Sequence, residues 1–238
     1  MPVHKVTDEN FFADLSGSYQ KQGIRLVHLW EDFWMQKRAI MESRIRLILG
    51  DVIRIHARKT VAKRIDAPTV DAFLKENHLY GSPGSKYKYG LYYNDVLVAA
   101  ASFSAIRTYW RNVDPFKSAE LIRFASLNGH SVVGGLGKLL TAFIREHQPD
   151  DIMTYADRDW SNGESYEKLG FRKIENTLPQ PFWIKNDTFI RYYPHRTPDS
   201  LNEFFKSDAR YSLSKFYEDG EYTPIYNAGN IKYLLFLK

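Results

Sequence analysis

The segment "VVGGLGKLL", residues 132–140, places three glycines directly before an apolar pattern with helical spacing. Glycines at the start of a helix make a tight turn, permit a close helix crossing, or leave backbone amides open to a phosphate group. The segment is not a nucleotide-triphosphate loop, because Leu139 stands where that loop has Ser or Thr. It also lacks the later acidic residue of a dinucleotide-binding fingerprint. A pyrophosphate held here would contact the positions Val133, Gly134, Gly135, Gly137 and Lys138, the last as a point charge.

Glu120 is a candidate general base. It opens the predicted strand "AELIRFASL" (119–127) and shares a face with Ile122, Phe124 and Ser126. A carboxylate among apolar neighbours has a raised pKa, which suits a base that must take a proton near neutral pH. The alternative is a solvent-exposed strand end with no catalytic part.

The turn "ADRDWSNG", residues 156–163, combines carboxylate, guanidinium, indole and amide groups. An aromatic platform beside a carboxylate–arginine pair suits a flat ligand such as a nucleobase. The predicted substrate contacts are Asp157, Arg158, Trp160 and Asn162. The alternative is a structural ion pair beside a packed indole.

Hydrophobic periodicity predicts the elements that would position these groups. Helices are predicted over 8–22, 35–49, 67–78, 135–147 and 161–170, and strands over 25–34, 52–66, 119–127 and 151–157. Hairpins are predicted around Asn94-Asp95 and Asn186-Asp187, and a helix over 198–217 with a strand pair around 227–230 ends the chain. This order predicts a mixed α/β, α+β-like fold in which helices interrupt a largely antiparallel sheet.

Composition excludes several kinds of site. The 238 residues include no cysteine, so disulfides, thiolate zinc sites and a cysteine nucleophile are excluded. The seven histidines show no metal-ligand spacing, and no metal is expected. A net charge of +5 is compatible with a nucleotide cofactor or with nucleic acid. Without a signal-peptide or membrane-span pattern, the protein is expected to be cytoplasmic and not membrane-associated.

A strand, a glycine turn, a helix, a strand and a short helix ending "SYEKLGF" together resemble the GNAT superfamily of acetyl-CoA-dependent N-acetyltransferases. Gly135 and Gly137 match the two glycines of its loop, and 166–171 match its tyrosine and glycine-phenylalanine. The resemblance implies a GNAT-like fold and acyl transfer from a CoA thioester to an amine. It also implies that the backbone of Ser126, Leu127 and Asn128 binds the pantetheine arm, and that Tyr166 protonates the leaving thiolate. The alternative for Tyr166 is a packing role.

"YADRDWSNGESYEKLGF" is more closely similar to a GNAT-like domain of phage and mobile-element proteins that are often fused to homing endonucleases. A more distant similarity is to phage Mom proteins, which modify adenine in DNA. A second class of function is favoured by these similarities, by Val132 in place of the family's Gln or Arg, by the "ADRDWSNG" cluster and by a basic helix at 35–49. In that class the protein is a DNA-associated module that is non-catalytic or modifies a nucleobase. The predicted domains are a docking element or nuclease-like remnant (1–50), the acyltransferase domain (51–194) and a C-terminal addition (195–238).

Overall fold

The computed structural model describes residues 8–111, 114–193 and 222–238. The described residues fall into two compact units. The larger unit contains 37–111, 114–155, 165–174 and 232–238, and the smaller unit contains 8–36, 156–164, 175–193 and 222–231. The helix at 38–49 belongs to the larger unit, and the three later segments 156–164, 175–193 and 222–231 belong to the smaller one.

The helices are α1 (Phe11–Lys21), α2 (Glu31–Gln36), α3 (Arg38–Leu49), α4 (Ala67–Asn77), α5 (Gly135–His147) and α6 (Glu164–Glu167). The first seven strands are β1 (Ile53–His56), β2 (Val61–Arg64), β3 (Tyr87–Tyr93), β4 (Val96–Phe103), β5 (Arg107–Arg111), β6 (Asp114–Ser126) and β7 (His130–Val133). The remaining strands are β8 (Asp151–Asp157), β9 (Arg172–Asn176), β10 (Pro181–Lys185), β11 (Arg191–Tyr192), β12 (Tyr222–Tyr226) and β13 (Asn230–Phe236). The fold is mixed α/β, as predicted.

An eight-stranded sheet has the order β2-β3-β4-β6-β8-β13-β9, with β5 paired to β6. The pairs from β2 to β6 are antiparallel, and β6 and β8 are parallel. A separate parallel pair joins β1 to β7, which leads into the glycine turn. The sheet is therefore largely antiparallel, and it contains the element order that the resemblance implied.

Helices cover both faces of this sheet. On α4, Val70, Phe73 and Leu74 pack with Ala100 and Ala125 of the strands. On α5, the Phe143 ring stacks on Phe103 with centroids 4.1 Å apart. Since Ala100 and Phe103 are three residues apart on one strand, they point to opposite faces, and the two helices lie on opposite sides.

Local signals explain several confirmed elements. The Asp66 carboxylate accepts from the Thr69 amide at 2.8 Å and caps α4. Asn94 and Asp95 have φ of +48° and +61°, as a tight hairpin turn requires. Gly170 has φ of +88° and follows α6, and the Ser161 hydroxyl accepts from the Gly163 amide at 3.0 Å in the turn before that helix.

Three predicted elements are wrong or altered. The segment 25–34 forms no strand; the His28 amide instead donates to the Asp159 carbonyl, and α2 begins at Glu31. The segment 52–66 breaks at a 3-10 turn over 57–59, so its halves join different sheets. β12 and β13 do not pair with each other, because β12 pairs with β10 and β13 lies between β8 and β9. The predicted helix 198–217 lies outside the described residues.

Candidate functional site

Two parallel strands of the larger unit separate at Glu120. The ladder between β6 and β8 has three pairs, from Ser118↔Asp151 to Glu120↔Met153. Beyond this point β6 keeps pairing with β4 as far as Ser126. The Thr154 hydroxyl then donates to the Leu121 carbonyl at 3.0 Å, at the position where the next ladder bond would be. We call this opening between β6 and β8 the strand fork.

Glu120 lies in the last pair before the fork. Its amide donates to the Ser104 hydroxyl at 2.9 Å, and its carbonyl accepts from the Ser104 amide at 2.9 Å. The residue is half-buried, so it is not an exposed strand end. Burial raises the pKa of the Glu120 carboxyl, and the charges of Arg123 and Arg107 act in the opposite direction. This is the environment predicted for a general base.

Tyr166 lies beside Thr154, which is one residue beyond the last pair of the β6–β8 ladder. Because neighbouring residues of a strand point to opposite faces, Glu120 and Met153 share one face and Thr154 points to the other. Burial raises the pKa of the Tyr166 hydroxyl, while the Thr154 side chain and the charges of Arg123 and Arg44 lower it. The rings of Phe171 and Tyr233 hold the phenol at centroid distances of 5.5 and 5.6 Å. The fork is thus flanked by a carboxyl and a phenol.

The β6 backbone amides that face the strand fork differ in part from those predicted to bind the pantetheine arm. The Leu127 amide donates to the Val98 carbonyl, and the Asn128 amide donates to the Asn77 side chain at 2.7 Å. These two amides are therefore occupied. Since successive peptide groups point to opposite edges, the amides of Ser126 and Phe124 face away from β4 and toward the fork.

The glycine turn joins β7 to α5. Gly134 has φ of +76° and precedes the first residue of the helix. The Lys138 amide donates to the Gly134 carbonyl at 3.0 Å and begins the helical ladder. In the described part of the chain no acceptor is found for the amides of Gly135, Leu136 and Gly137, which are the first-turn donors of α5. This end of α5 can accept an anion.

Gly135 and Lys138 also have structural roles in this turn. A Cβ at Gly135 would lie 2.9 Å from Val132 Cγ1 and 3.3 Å from Leu91 Cδ1, so this glycine permits close packing. Lys138 donates from Nζ to the Ala57 carbonyl at 2.8 Å and to the Thr60 carbonyl. The prediction of Lys138 as a phosphate point charge is therefore not supported by its geometry. Val133, by contrast, is exposed beside the open amides.

The predicted substrate cluster falls in the smaller unit and is mainly structural. Trp160 is 1% exposed, so its indole has no open face and the predicted aromatic platform is wrong. Arg158 donates to the carbonyls of Ala228 and Ala13 at 2.7 and 3.0 Å. Asp157 accepts from the Asp159 amide at 2.9 Å, within the turn. Asn162 is half-buried in the same turn.

Asp159 is the buried carboxyl of this turn. It is 0% exposed and accepts from Trp30 Nε1 at 2.7 Å and from the Ala228 amide at 2.9 Å. Burial, and then the charge of Asp157, raises the pKa of Asp159 to about 7. Its position depends on chain segments far apart in sequence, which the local pattern "DRDW" does not reveal.

No group of His, Asp or Glu side chains suited to a metal ion occurs among the described residues. No described helix is long and apolar enough to cross a membrane.

Comparisons with known proteins found matches among solved structures but none among family models or curated proteins. A GNAT family acetyltransferase from Elizabethkingia anophelis with acetyl-CoA bound has 18% identity and a TM-score of 0.42, covering 75% of this chain and 99% of its own. The ribosomal-protein-S18-alanine N-acetyltransferase from Escherichia coli has 17% identity and a TM-score of 0.39, covering 75% and 94% respectively. With TM-scores this low, neither similarity bears on the activity of this chain.

Proposed function

We propose that this protein is an N-acyltransferase that moves an acyl group, most simply acetyl, from a CoA thioester to an amine. The observation that carries the proposal is the strand fork, with Glu120 in its last strand pair and Tyr166 beside Thr154, one residue beyond that pair. Open first-turn amides at the glycine end of α5, in the same unit, supply a separate anion site. An extended donor with a pyrophosphate needs both a strand edge and such an anion site.

The residues present fit such a donor. The amides of Gly135, Leu136 and Gly137 would hold the pyrophosphate, and the β6 edge at Phe124 and Ser126 would pair with the pantetheine arm. Acyl-CoA supplies an activated acyl thioester. This assignment moves the pantetheine contact upstream of the predicted 126–128, because the amides of Leu127 and Asn128 already have protein acceptors.

Glu120 and Tyr166 have the properties that the two proton transfers need. Glu120 takes the proton that the amine loses as its nitrogen bonds to the acyl carbon. Tyr166 gives its hydroxyl proton to the sulfur as the carbon–sulfur bond breaks. A raised pKa on Glu120 brings this carboxylate nearer to the pKa of the amine, which favours the first transfer.

Release of free CoA thiol tests this function with little background, since the chain has no cysteine. The protein is incubated with acetyl-CoA and pools of amino acids, amino sugars, peptides and polyamines, and thiol is measured with a chromogenic disulfide. We expect one pool to stimulate thiol release, and Tyr166→Phe to slow it about 10²-fold. The matched variant Tyr92→Phe removes a hydroxyl from β3, away from the fork, and should leave the rate unchanged. Equal rates in both variants would exclude Tyr166 as the acid.

A second candidate is DNA association, which the β5 strand favours. In the described segment 107–111, Tyr109 is 50% exposed and shares a face of β5 with Arg107, while Trp110, which is 72% exposed, lies on the opposite face. Exposed aromatic rings with a nearby arginine suit stacked bases and phosphates. A protein of mobile-element origin acting on a nucleobase would use such a surface. A steep loss of DNA affinity with salt, abolished by Trp110→Ala, would support it, while salt-insensitive or undetectable binding would exclude it.

We propose that the protein acts in the cytoplasm, where CoA thioesters are available. Its sequence contains no cysteine, so folding requires no disulfide and no oxidising compartment.

A further inference from the structure

A group of basic and polar side chains gathers beside the strand fork. Arg123 Nη1 donates to the Ile122 carbonyl at 2.8 Å, and its guanidinium lies 5.9 Å from the centre of the Tyr80 ring. Lys37, at the start of α3, donates from Nζ to the carbonyl of Leu79. We call Lys37, Arg44, His78, Tyr80 and Arg123 the basic cluster; all five are half-buried, so they are neither sealed in the core nor fully solvated.

The charges of this cluster reach the proposed catalytic phenol. Arg123 and Arg44 both lower the pKa of Tyr166, and Arg123, Arg44 and Lys37 all lower the pKa of His78. The His78 pKa is well below its usual value, chiefly because of burial, so the imidazole is neutral at physiological pH. Its Nδ1 accepts from the Tyr80 amide at 3.1 Å, which leaves Nε2 to carry the proton. The charges of Arg123 and Arg44 therefore act on both the neutral imidazole and the phenol, and the charge of Lys37 acts on the imidazole.

Ser102 adds an independent observation. This side chain is 0% exposed, and its hydroxyl has no hydrogen-bond partner among the described residues. Ser102 is the cross-strand partner of Arg123, so both side chains stand on the same face of the sheet. Buried hydroxyl groups are nearly always hydrogen-bonded, so a ligand oxygen bound beside Arg123 would satisfy the Ser102 hydroxyl.

We propose that the basic cluster binds an anionic group, a carboxylate or a phosphate, on the amine that accepts the acyl group. The acceptor assignment rests on the proposed acyl transfer, whereas anion binding by the cluster does not. The acceptor would then be a small molecule that carries its amine and its anionic group on one skeleton, as an amino acid or an amino-sugar phosphate does.

Electrostatics favours this class over simple amines and polyamines. A site with three cationic side chains repels an ammonium group, which keeps cationic acceptors out and also favours the neutral, nucleophilic form of an amine that enters. An anionic group on the same molecule compensates by forming charge-assisted hydrogen bonds with guanidinium groups. The same cluster would therefore select the substrate and activate its amine.

Anion binding is measured first, without acetyl-CoA. Inorganic phosphate and succinate are titrated separately into the full-length protein at low ionic strength, and binding is followed by calorimetry. We expect at least one to saturate at millimolar concentration or below, and the one that binds identifies the anion. Arg123→Gln and Arg44→Gln should each weaken this binding at least about 10-fold. Arg145→Gln, an exposed charge on α5, is the matched control and should leave it unchanged.

Variants separate the cluster from the anion site at the glycine turn. Val133→Glu places a carboxylate beside the open amides of α5 and should not affect anion binding at the cluster. Loss in Val133→Glu with retention in Arg123→Gln would assign the anion to the glycine turn and overturn the proposal. The absence of saturable binding by both probes would overturn it as well. Circular dichroism shows whether Arg123→Gln folds. If it does not, anion binding by Arg44→Gln, a variant at a half-buried position on α3, provides the test.

The substrate class is tested in the thiol-release assay with pairs of amines that differ in charge alone, an amino acid against its carboxamide. We expect the acid to be used at least about 10-fold better in kcat/KM, and this preference to disappear in Arg44→Gln. Equal use of both, or preference for a polyamine, would overturn the acceptor assignment. Failure of all acyl transfer with intact anion binding would refute the proposed function and leave the anion site standing.

Discussion

Two glycines of the same helical turn should respond differently to alanine, because their surroundings differ. A Cβ at Gly135 meets Val132 Cγ1 at 2.9 Å, Val132 Cβ at 3.0 Å and Leu91 Cδ1 at 3.3 Å. Val132 and Leu91 are buried, at 6% and 0% exposure, so neither can move aside easily. A Cβ at Gly137 meets only the end of the Leu169 side chain, at 3.1 Å.

The expected difference in the free energy of unfolding comes from comparing the two variants. Replacing glycine with alanine in a helix favours folding by up to about 1 kcal/mol, and this gain is similar for both positions. Overpacking a buried site costs roughly 1–3 kcal/mol, which applies to Gly135→Ala and not to Gly137→Ala. We therefore expect Gly135→Ala to be less stable than Gly137→Ala by about 1–3 kcal/mol.

Urea denaturation followed by tryptophan fluorescence measures this difference, and thermal unfolding should show a gap of roughly 2–4 °C for each kcal/mol. Equal midpoints for the two variants would refute the close packing described at Gly135. A lower midpoint for Gly137→Ala than for Gly135→Ala would reverse the assignment of structural and open glycines within the turn.

Three further predictions concern titration and buried charge. Because the Glu120 base must be deprotonated and its pKa is raised, the rate of acyl transfer should rise with pH on the acid side, and Glu120→Gln should be slow without this rise, as a pH–rate profile would show. The folded-state pKa of Asp159, about 7, exceeds its unfolded value, so its contribution to stability is fully present below about pH 4 and is lost as the pH rises toward and through 7. Asp159→Asn should remove this slope, worth up to about 4 kcal/mol, from the pH dependence of the free energy of unfolding; an unchanged slope would refute the assignment. Asp32→Ala should cost about 3–5 kcal/mol in urea denaturation, because it leaves the guanidinium of Arg191, now bound at 2.7 and 2.8 Å, buried without this carboxylate; a cost below 1 kcal/mol would contradict the buried pair.

Sequence patterns predicted the elements whose signals are local. The apolar helical spacing of α5 and the Asn94-Asp95 hairpin each depend on residues within one element, and both are confirmed. Glu120 and Tyr166 were also singled out, and both lie at the fork. The elements β6, β8 and α6 follow one another in the chain apart from β7 and α5.

The predictions that are wrong concern residues whose contacts are with distant parts of the sequence. Segment 25–34 has the apolar density of a strand, but its Trp30 donates to Asp159, 129 residues later, and no ladder forms. The aromatic platform failed for the same reason, since a tryptophan in a polar turn does not reveal its burial by residues far away in sequence. Arg123 and Ser102 come together through strand register, which residue types alone do not specify.

Calorimetric titration with acetyl-CoA tests the central claim most directly, using opposite charges at exposed Val133, which is 44% exposed beside the open amides. We predict saturable one-site binding with a micromolar dissociation constant. Val133→Glu should weaken it roughly fivefold or more through repulsion of the pyrophosphate, and Val133→Lys should retain or strengthen it. An absence of saturable binding at millimolar acetyl-CoA, or equal binding by the two variants, would contradict the account.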